Sequence, residues 1–166
     1  GIDHNTINSA FSRAVSAQDA YTKDITAYNE YIYHEARGHG AMTILLAGRP
    51  YHADMLIQHK VSDMLADMGV YVLTDDIVRG KKVAVSDAHY LSQWAYPNRI
   101  LEAARWSAGQ KDMEFVEMTS FGCGPDAFLV DEVRDLLMRH GKTLTLLKLD
   151  DINNIGSMKL RVRSLI

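Results

Sequence analysis

The segment from Phe115 to Val133, FVEMTSFGCGPDAFLVDEV, joins a short apolar run to a glycine-containing turn and then to an amphipathic pattern. The run Phe115–Met118 predicts a buried strand. After the turn, apolar residues recur with helical spacing, and Gly141 follows them as a helix-ending glycine. These residues are Val130, Val133, Leu136 and Leu137. The segment therefore predicts a strand–turn–helix unit, the building block of a parallel α/β sheet.

The same unit recurs along the chain. Short apolar runs predict strands at Met42–Gly48, Val70–Leu73, Phe115–Met118 and Thr143–Leu149. Helical spacing predicts connecting helices at 57–68 and 97–108, each followed by a glycine, with a long irregular stretch up to about Tyr96. The alternation predicts an α/β fold, a three-layer Rossmann-like or flavodoxin-like domain with a mainly parallel sheet of about four strands.

A long amphipathic helix is predicted before the sheet, from about Ser9 to Glu35, and Gly38 and Gly40 end it. Its apolar stripe is Phe11, Ala14, Gln18, Tyr21, Ile25, Tyr28 and Ile32. We expect this stripe to pack on the chain's own domain, with a partner helix as the alternative. The predicted organisation is an N-terminal helix and linker at 1–41 and an α/β domain at 42–166, excised from a longer chain.

Composition narrows the classes of function. The chain has 166 residues, 47% hydrophobic and 23% charged, which fits one globular domain with a sizeable core. A net charge of -3 predicts no nucleic-acid partner, and no apolar run approaches the roughly 20 residues of a membrane span. The single cysteine excludes an internal disulfide framework and favours the reducing cytoplasm.

Two loops carry the candidate binding chemistry. With strand order 2-1-3-4, strands 1 and 3 are neighbours, and a ligand crevice opens at their carboxyl ends. The first loop there, AGRPYH, contributes Gly48, Arg49, Tyr51 and His52. Arg49 could bind a phosphate or carboxylate bidentately, with donors from Tyr51 and His52. The alternative is that Arg49 pairs with a neighbouring carboxylate and that Tyr51 packs.

The second loop, FGCGPD, holds Cys123 between two glycines. Glycine permits backbone angles and close approaches that a side chain would forbid, and Pro125 suits the first turn of a helix. A helix N-terminus favours a thiolate, so Cys123 could be a metal ligand, a nucleophile or a thiol beside a bound anion. The alternative is a small apolar side chain buried at a strand end. The other predicted binding residues of this loop are Gly122, Gly124 and Asp126.

Common nucleotide motifs are absent from the sequence. No G-x-G-x-x-G follows the first strand, and no Walker lysine motif occurs. Dinucleotide or ATP binding in its usual form is therefore not predicted.

Four longer segments carry a family resemblance: LLAGRPYHAD (Leu45–Asp54), WAYPNR (Trp94–Arg99), TSFGCGPDAFLVDEV (Thr119–Val133) and LKLDDINNIGSMKLRVRSL (Leu147–Leu165). Together they resemble a domain of large acyl-CoA dehydratase activase-type proteins, similar to subunits of 2-hydroxyacyl-CoA dehydratases and benzoyl-CoA reductases. The resemblance spans about Met42 to Ile166.

The resemblance implies low-potential electron transfer. An ATP-dependent activator would pass an electron to an iron–sulfur protein that acts on an acyl-CoA, and Cys123 matches a motif cysteine that holds a 4Fe-4S or related cluster. Such a cluster usually takes three or four protein ligands, whereas this chain has one cysteine. We therefore expect other domains of a longer parent chain to supply the rest, and the isolated domain to be inactive. The alternative is a non-redox module in which Arg49 and the glycine loop bind an anionic ligand such as CoA.

Overall fold

The computed structural model describes residues 1–86, 88, 94–120, 122–149 and 155–166, and Ile155 by its backbone only. Parts of two sequence motifs, Phe121 and residues 150–154, lie outside these residues. The helices are α1 (His4–Gly38), α2 (Val61–Ala66), α3 (Ala95–Ala108), α4 (Gly124–Arg139) and α5 (Ile155–Arg163). The strands are β1 (Thr43–Ala47), β2 (Tyr71–Thr74), β3 (Met113–Thr119) and β4 (Leu144–Lys148). Short 3₁₀ turns follow β1 at Pro50–Ala53 and β2 at Asp75–Val78.

The four strands form one parallel sheet in the order β2-β1-β3-β4, which confirms the predicted fold and strand order. Alternate residues of β1 belong to two different apolar clusters, as the side-chain period of a strand requires. Leu45 lies in a cluster with α3 and α4, and Ile44 lies in a cluster with α2 and α5. Helices therefore cover both faces, and the domain has three layers.

Helix α1 differs from its prediction in length and in the face it buries. Its 35 residues make it about 52 Å long at 1.5 Å per residue, longer than the sheet it packs against. Only its C-terminal half contacts β2 and the 3₁₀ turn after β2. The prediction that the apolar stripe packs on the domain is wrong for its exposed members, Phe11, Ala14, Gln18, Tyr21 and Tyr28. The division into 1–41 and 42–166 remains a prediction.

Helix α2 is shorter than the predicted helix at 57–68. The Asp54 carboxylate accepts hydrogen bonds from the backbone N–H groups of Leu56 and Ile57, at 2.9 and 3.2 Å. The two residues before Val61 have left-handed φ values of 52° and 58°, which a right-handed helix does not contain, so the helix begins only at Val61. Gly69 adopts a left-handed φ of 80° after the helix, as a helix-ending glycine is expected to do.

Candidate functional site

The carboxyl ends of β1 and β3 lie side by side, with Ala47 opposite Glu117 in the parallel register. We call the residues around these two ends, 47–53, 117, 119, 120 and 122–126, the β1–β3 edge. Both loops that the sequence singled out belong to it, so the prediction that Arg49 and Cys123 share one edge of the sheet is confirmed.

An ion pair joins the two loops. The Nη2 group of Arg49 donates a hydrogen bond to Oδ1 of Asp126. Asp126 is buried and lies in the first turn of α4, where the helix dipole stabilises a negative charge. The alternative prediction, that Arg49 pairs with a neighbouring carboxylate, is therefore confirmed.

His52 forms a second link between the loops. Its imidazole is buried, and Nδ1 accepts a hydrogen bond from the backbone N–H of Arg49 at 3.0 Å. Since Nδ1 accepts, Nε2 carries the proton of the neutral ring and donates to Oγ of Ser120 at 2.9 Å. Burial and the Arg49 charge lower the pKa of His52 to about 4, so the ring is neutral at physiological pH. His52 thus holds the two loops together.

Gly48 and Tyr51 frame this imidazole. A Cβ added at Gly48 would lie 2.6 Å from Nδ1 of His52, so a larger residue would push the ring out of place. The Tyr51 ring meets the imidazole edge-on, with ring centroids 4.6 Å apart. Both residues therefore fix the position of His52.

Cys123 is exposed and is the N-cap residue of α4. The alternative of a buried strand-end cysteine is therefore wrong. Gly124 does not have a positive φ, so the expected backbone-angle requirement is wrong for this glycine. A Cβ added at Gly122 or Gly124 would meet no atom within 4 Å among the residues that the structure describes. As far as these described residues go, the surface beside the thiol is open to a group that approaches from outside the chain.

Glu117 is a site residue that the sequence analysis did not identify. Its side chain is 3% exposed, and Oε2 has no hydrogen-bond partner in the described part of the chain. With Arg49, His52 and Asp126 it lines a cavity of about 10 Å³. Burial, and then repulsion from Asp126, raise the pKa of Glu117 to about 8, against attraction by Arg134 and Arg49. The available signal was a carboxylate inside the apolar strand run FVEM.

Among the described residues, the predicted site offers a metal cluster one thiolate ligand, Cys123. In the described ranges, no group of three or more His, Cys, Asp or Glu residues could hold a metal ion. Cys123 with these neighbours does not provide the three or four ligands that an iron–sulfur cluster usually takes. A larger groove, about 680 Å³, lies between α2 and α5 and contains none of the predicted site residues.

No helix in the described residues is long and apolar enough to cross a membrane. The cytoplasmic location stays a prediction.

Comparison with known proteins supports the resemblance found in the sequence. Residues 1–78 match the family described as CoA enzyme activase uncharacterised domain (DUF2229). The matched part contains α1, β1, Arg49, His52 and β2, and it ends before β3 and Cys123. Comparisons with curated proteins and with solved structures returned no match. The first half of the chain is thus related to a CoA enzyme activase domain.

Proposed function

We propose, from the match of residues 1–78 to a CoA enzyme activase domain, that this chain is a redox-related domain of an activase-type protein. In this proposal Cys123 supplies one thiolate ligand to an iron–sulfur cluster. The remaining ligands come from other domains of a longer parent chain, because this chain has no second cysteine. An ATP-dependent activator and an acyl-CoA are the partners that such a role requires.

The observation that carries the proposal is the placement of Cys123. It is exposed and is the N-cap residue of a 16-residue helix, where its sulfur can be reached from outside the chain. Among the described residues, no atom lies within 4 Å of a Cβ added at Gly122 or Gly124, which leaves room there for a second protein surface to complete the ligand set. A cysteine with a purely structural role would instead be buried and packed.

The residues around Cys123 act as its support. The Arg49–Asp126 pair ties the first turn of α4 to the segment after β1. The His52–Ser120 hydrogen bond ties the same segment to the end of β3. When bound, the cluster would supply one-electron transfer, and these side chains would hold the cysteine-bearing turn in place.

The test is Cys123→Ser in the full-length parent protein, purified without oxygen. We expect lower iron and sulfide content or a shifted cluster spectrum, with the far-UV circular dichroism spectrum unchanged, because serine replaces the thiolate without disturbing buried atoms. Met138→Ser is the matched control, since Met138 is an exposed sulfur-containing side chain at the other end of α4. Normal iron, sulfide and spectrum in Cys123→Ser would contradict the proposal.

The alternative, a non-redox module that binds CoA or another anion through Arg49, ranks second. The guanidinium is already paired with Asp126, and the adjacent cavity of about 10 Å³ is close to the volume that one water molecule needs. Nη2 of Arg49 is engaged by Asp126, so an anion would have to use the remaining N–H groups of a guanidinium that is already charge-paired. The geometry therefore favours the cysteine-centred proposal.

A further inference from the structure

Glu117 is a buried carboxyl group that the proposed cysteine role does not use. It lies two residues after Phe115 in β3, so the two side chains share a face of the sheet, the one covered by α3 and α4. One of its oxygens, Oε2, lacks a hydrogen-bond partner in the described ranges. A carboxylate without a partner is costly to bury, so a group in this position is expected to be protonated or to have a function.

Charged and titratable groups from two elements surround Glu117. The segment after β1 contributes Arg49, Tyr51 and His52, and α4 contributes Asp126 and Arg134. His52 is neutral, as its hydrogen bonds require, and Asp126 repels the ionised form of Glu117. Arg49 is the cation that lines the same cavity, and its guanidinium is engaged by Asp126. Two carboxyl groups therefore face one guanidinium.

We propose that Glu117 is a proton-binding site of the β1–β3 edge and that its ionised form competes with Asp126 for the Arg49 guanidinium. In the protonated state Glu117 carries no charge, and Arg49 pairs with Asp126 as the structure shows. When the proton leaves to the surrounding water, the buried carboxylate needs a counter-charge, and Arg49 shifts toward it. The step consists of one proton lost and one ion pair exchanged.

The exchange has a consequence for the first turn of α4. Asp126 ties that turn to the segment after β1, and Cys123 caps the same helix. Release of Asp126 would leave the turn held by fewer contacts, so the protonation of Glu117 would control how firmly Cys123 is positioned. This consequence rests on the proposed function, whereas the proton-binding site itself does not.

The experiment is a titration of this chain followed by ¹³C NMR of the side-chain carboxyl groups, with Glu117→Gln used to assign the resonance. We expect a midpoint for Glu117 close to 8, well above the ordinary 4.5, because burial and Asp126 disfavour its charge. The Nε–H resonance of Arg49 should move with the same midpoint and should not do so in Glu117→Gln. An ordinary midpoint, or an Arg49 resonance that ignores Glu117, would overturn the proposal.

Two further variants should shift the titration midpoint of Glu117 in opposite directions. Asp126→Asn removes a repelling charge and frees Arg49, so the Glu117 midpoint should fall by about one unit or more. Arg49→Gln removes an attracting charge, so the midpoint should rise. Glu114→Gln, on the same strand but only partly buried, is the matched control and should leave the midpoint unchanged. Shifts of equal sign in the two variants would contradict the competition.

Cys123→Ser separates this inference from the proposed function. The Glu117 midpoint should be the same with serine at this position, because the proton site consists of Glu117, Asp126 and Arg49. Failure of the titration would therefore leave the cysteine proposal standing. Failure of the iron analysis would likewise leave the proton site standing.

Discussion

At the scale of single residues, two buried ionisable groups of the β1–β3 edge are uncharged near neutral pH. His52 and Glu117 are both buried, and burial penalises the charged form of each. The first therefore stays unprotonated and the second stays protonated near neutral pH. Their exposed neighbour Cys123 contrasts with them, because nothing in the described part of the chain covers it.

These two groups affect stability in opposite directions as pH changes. The pKa of Glu117 rises from 4.5 to about 8 on folding, so between these values the folded chain holds a proton that the unfolded chain releases. Stability from this group falls as pH rises through that window. The pKa of His52 falls from 6.5 to about 4, so its contribution rises with pH in that range. Below pH 6.5 the two groups therefore change stability with pH in opposite directions. Above pH 6.5 only the effect of Glu117 remains.

Glu117→Gln should remove the loss of stability between pH 6.5 and 8. Wild type should lose up to about 1.4 kcal/mol per pH unit relative to the variant there, because one proton separates the two states. The check is urea unfolding of both proteins at several pH values. The charges of Arg49, Asp126 and Arg134 are present in both, so the difference isolates Glu117. A difference that stays constant across this range, or one that appears equally in Glu114→Gln, would show that Glu117 is already ionised.

At the scale of elements, α1 shows what periodicity alone can predict. Spacings of three and four residues correctly indicated a helix, but they could not show that only its C-terminal half reaches the domain. A polar residue makes one of its contacts with the domain. Asn29 is buried, accepts a hydrogen bond from the backbone N–H of Thr74 at 2.7 Å and donates one to the Ile25 carbonyl at 2.9 Å. A side-chain stripe selected for apolar residues omits such an anchor.

Asn29→Ala should lower the free energy of unfolding by about 1–3 kcal/mol, because it leaves a backbone donor near the end of β2 without its acceptor. Chemical denaturation measures the change. Asn8→Ala on the exposed half of the same helix is the matched control and should change stability by less than about 0.5 kcal/mol. Equal effects at the two positions would mean that α1 is not anchored through Asn29.

At the scale of the whole molecule, the sequence predicted the architecture better than the site. Four apolar runs with helical segments between them specify a parallel α/β sheet, and the rules for right-handed connections leave few orders besides 2-1-3-4. The partners within the site depend on tertiary distance. Glu117 is next to Arg49 only because β1 and β3 pair, although 68 positions separate the two along the chain. Local signals cannot show such a contact, nor the left-handed backbone at His59 and Lys60 that delays the start of α2.

The same architecture predicts that folding does not depend on a metal. Apolar clusters cover both faces of the sheet, and fully buried residues such as Leu45 and Phe115 each contribute about 1.5–3 kcal/mol on burial. Cys123 lies outside both clusters and is exposed, so a ligand bound there adds little to the core. Folding and cofactor binding are therefore expected to be separable in this chain.

The isolated chain should consequently fold without a cluster and unfold cooperatively at one temperature. Anaerobic incubation with iron and sulfide, or with a chelator, should leave that midpoint unchanged to within about 2 °C, which corresponds to about 0.5–1 kcal/mol for a domain of this size. Cys123→Ser should behave in the same way, because its side chain is exposed. Thermal unfolding followed by circular dichroism measures both proteins, each untreated, with iron and sulfide, and with the chelator. A midpoint that rises by several degrees with iron and sulfide, and only when Cys123 is present, would show that this chain binds a cluster by itself and that its other ligands lie within it.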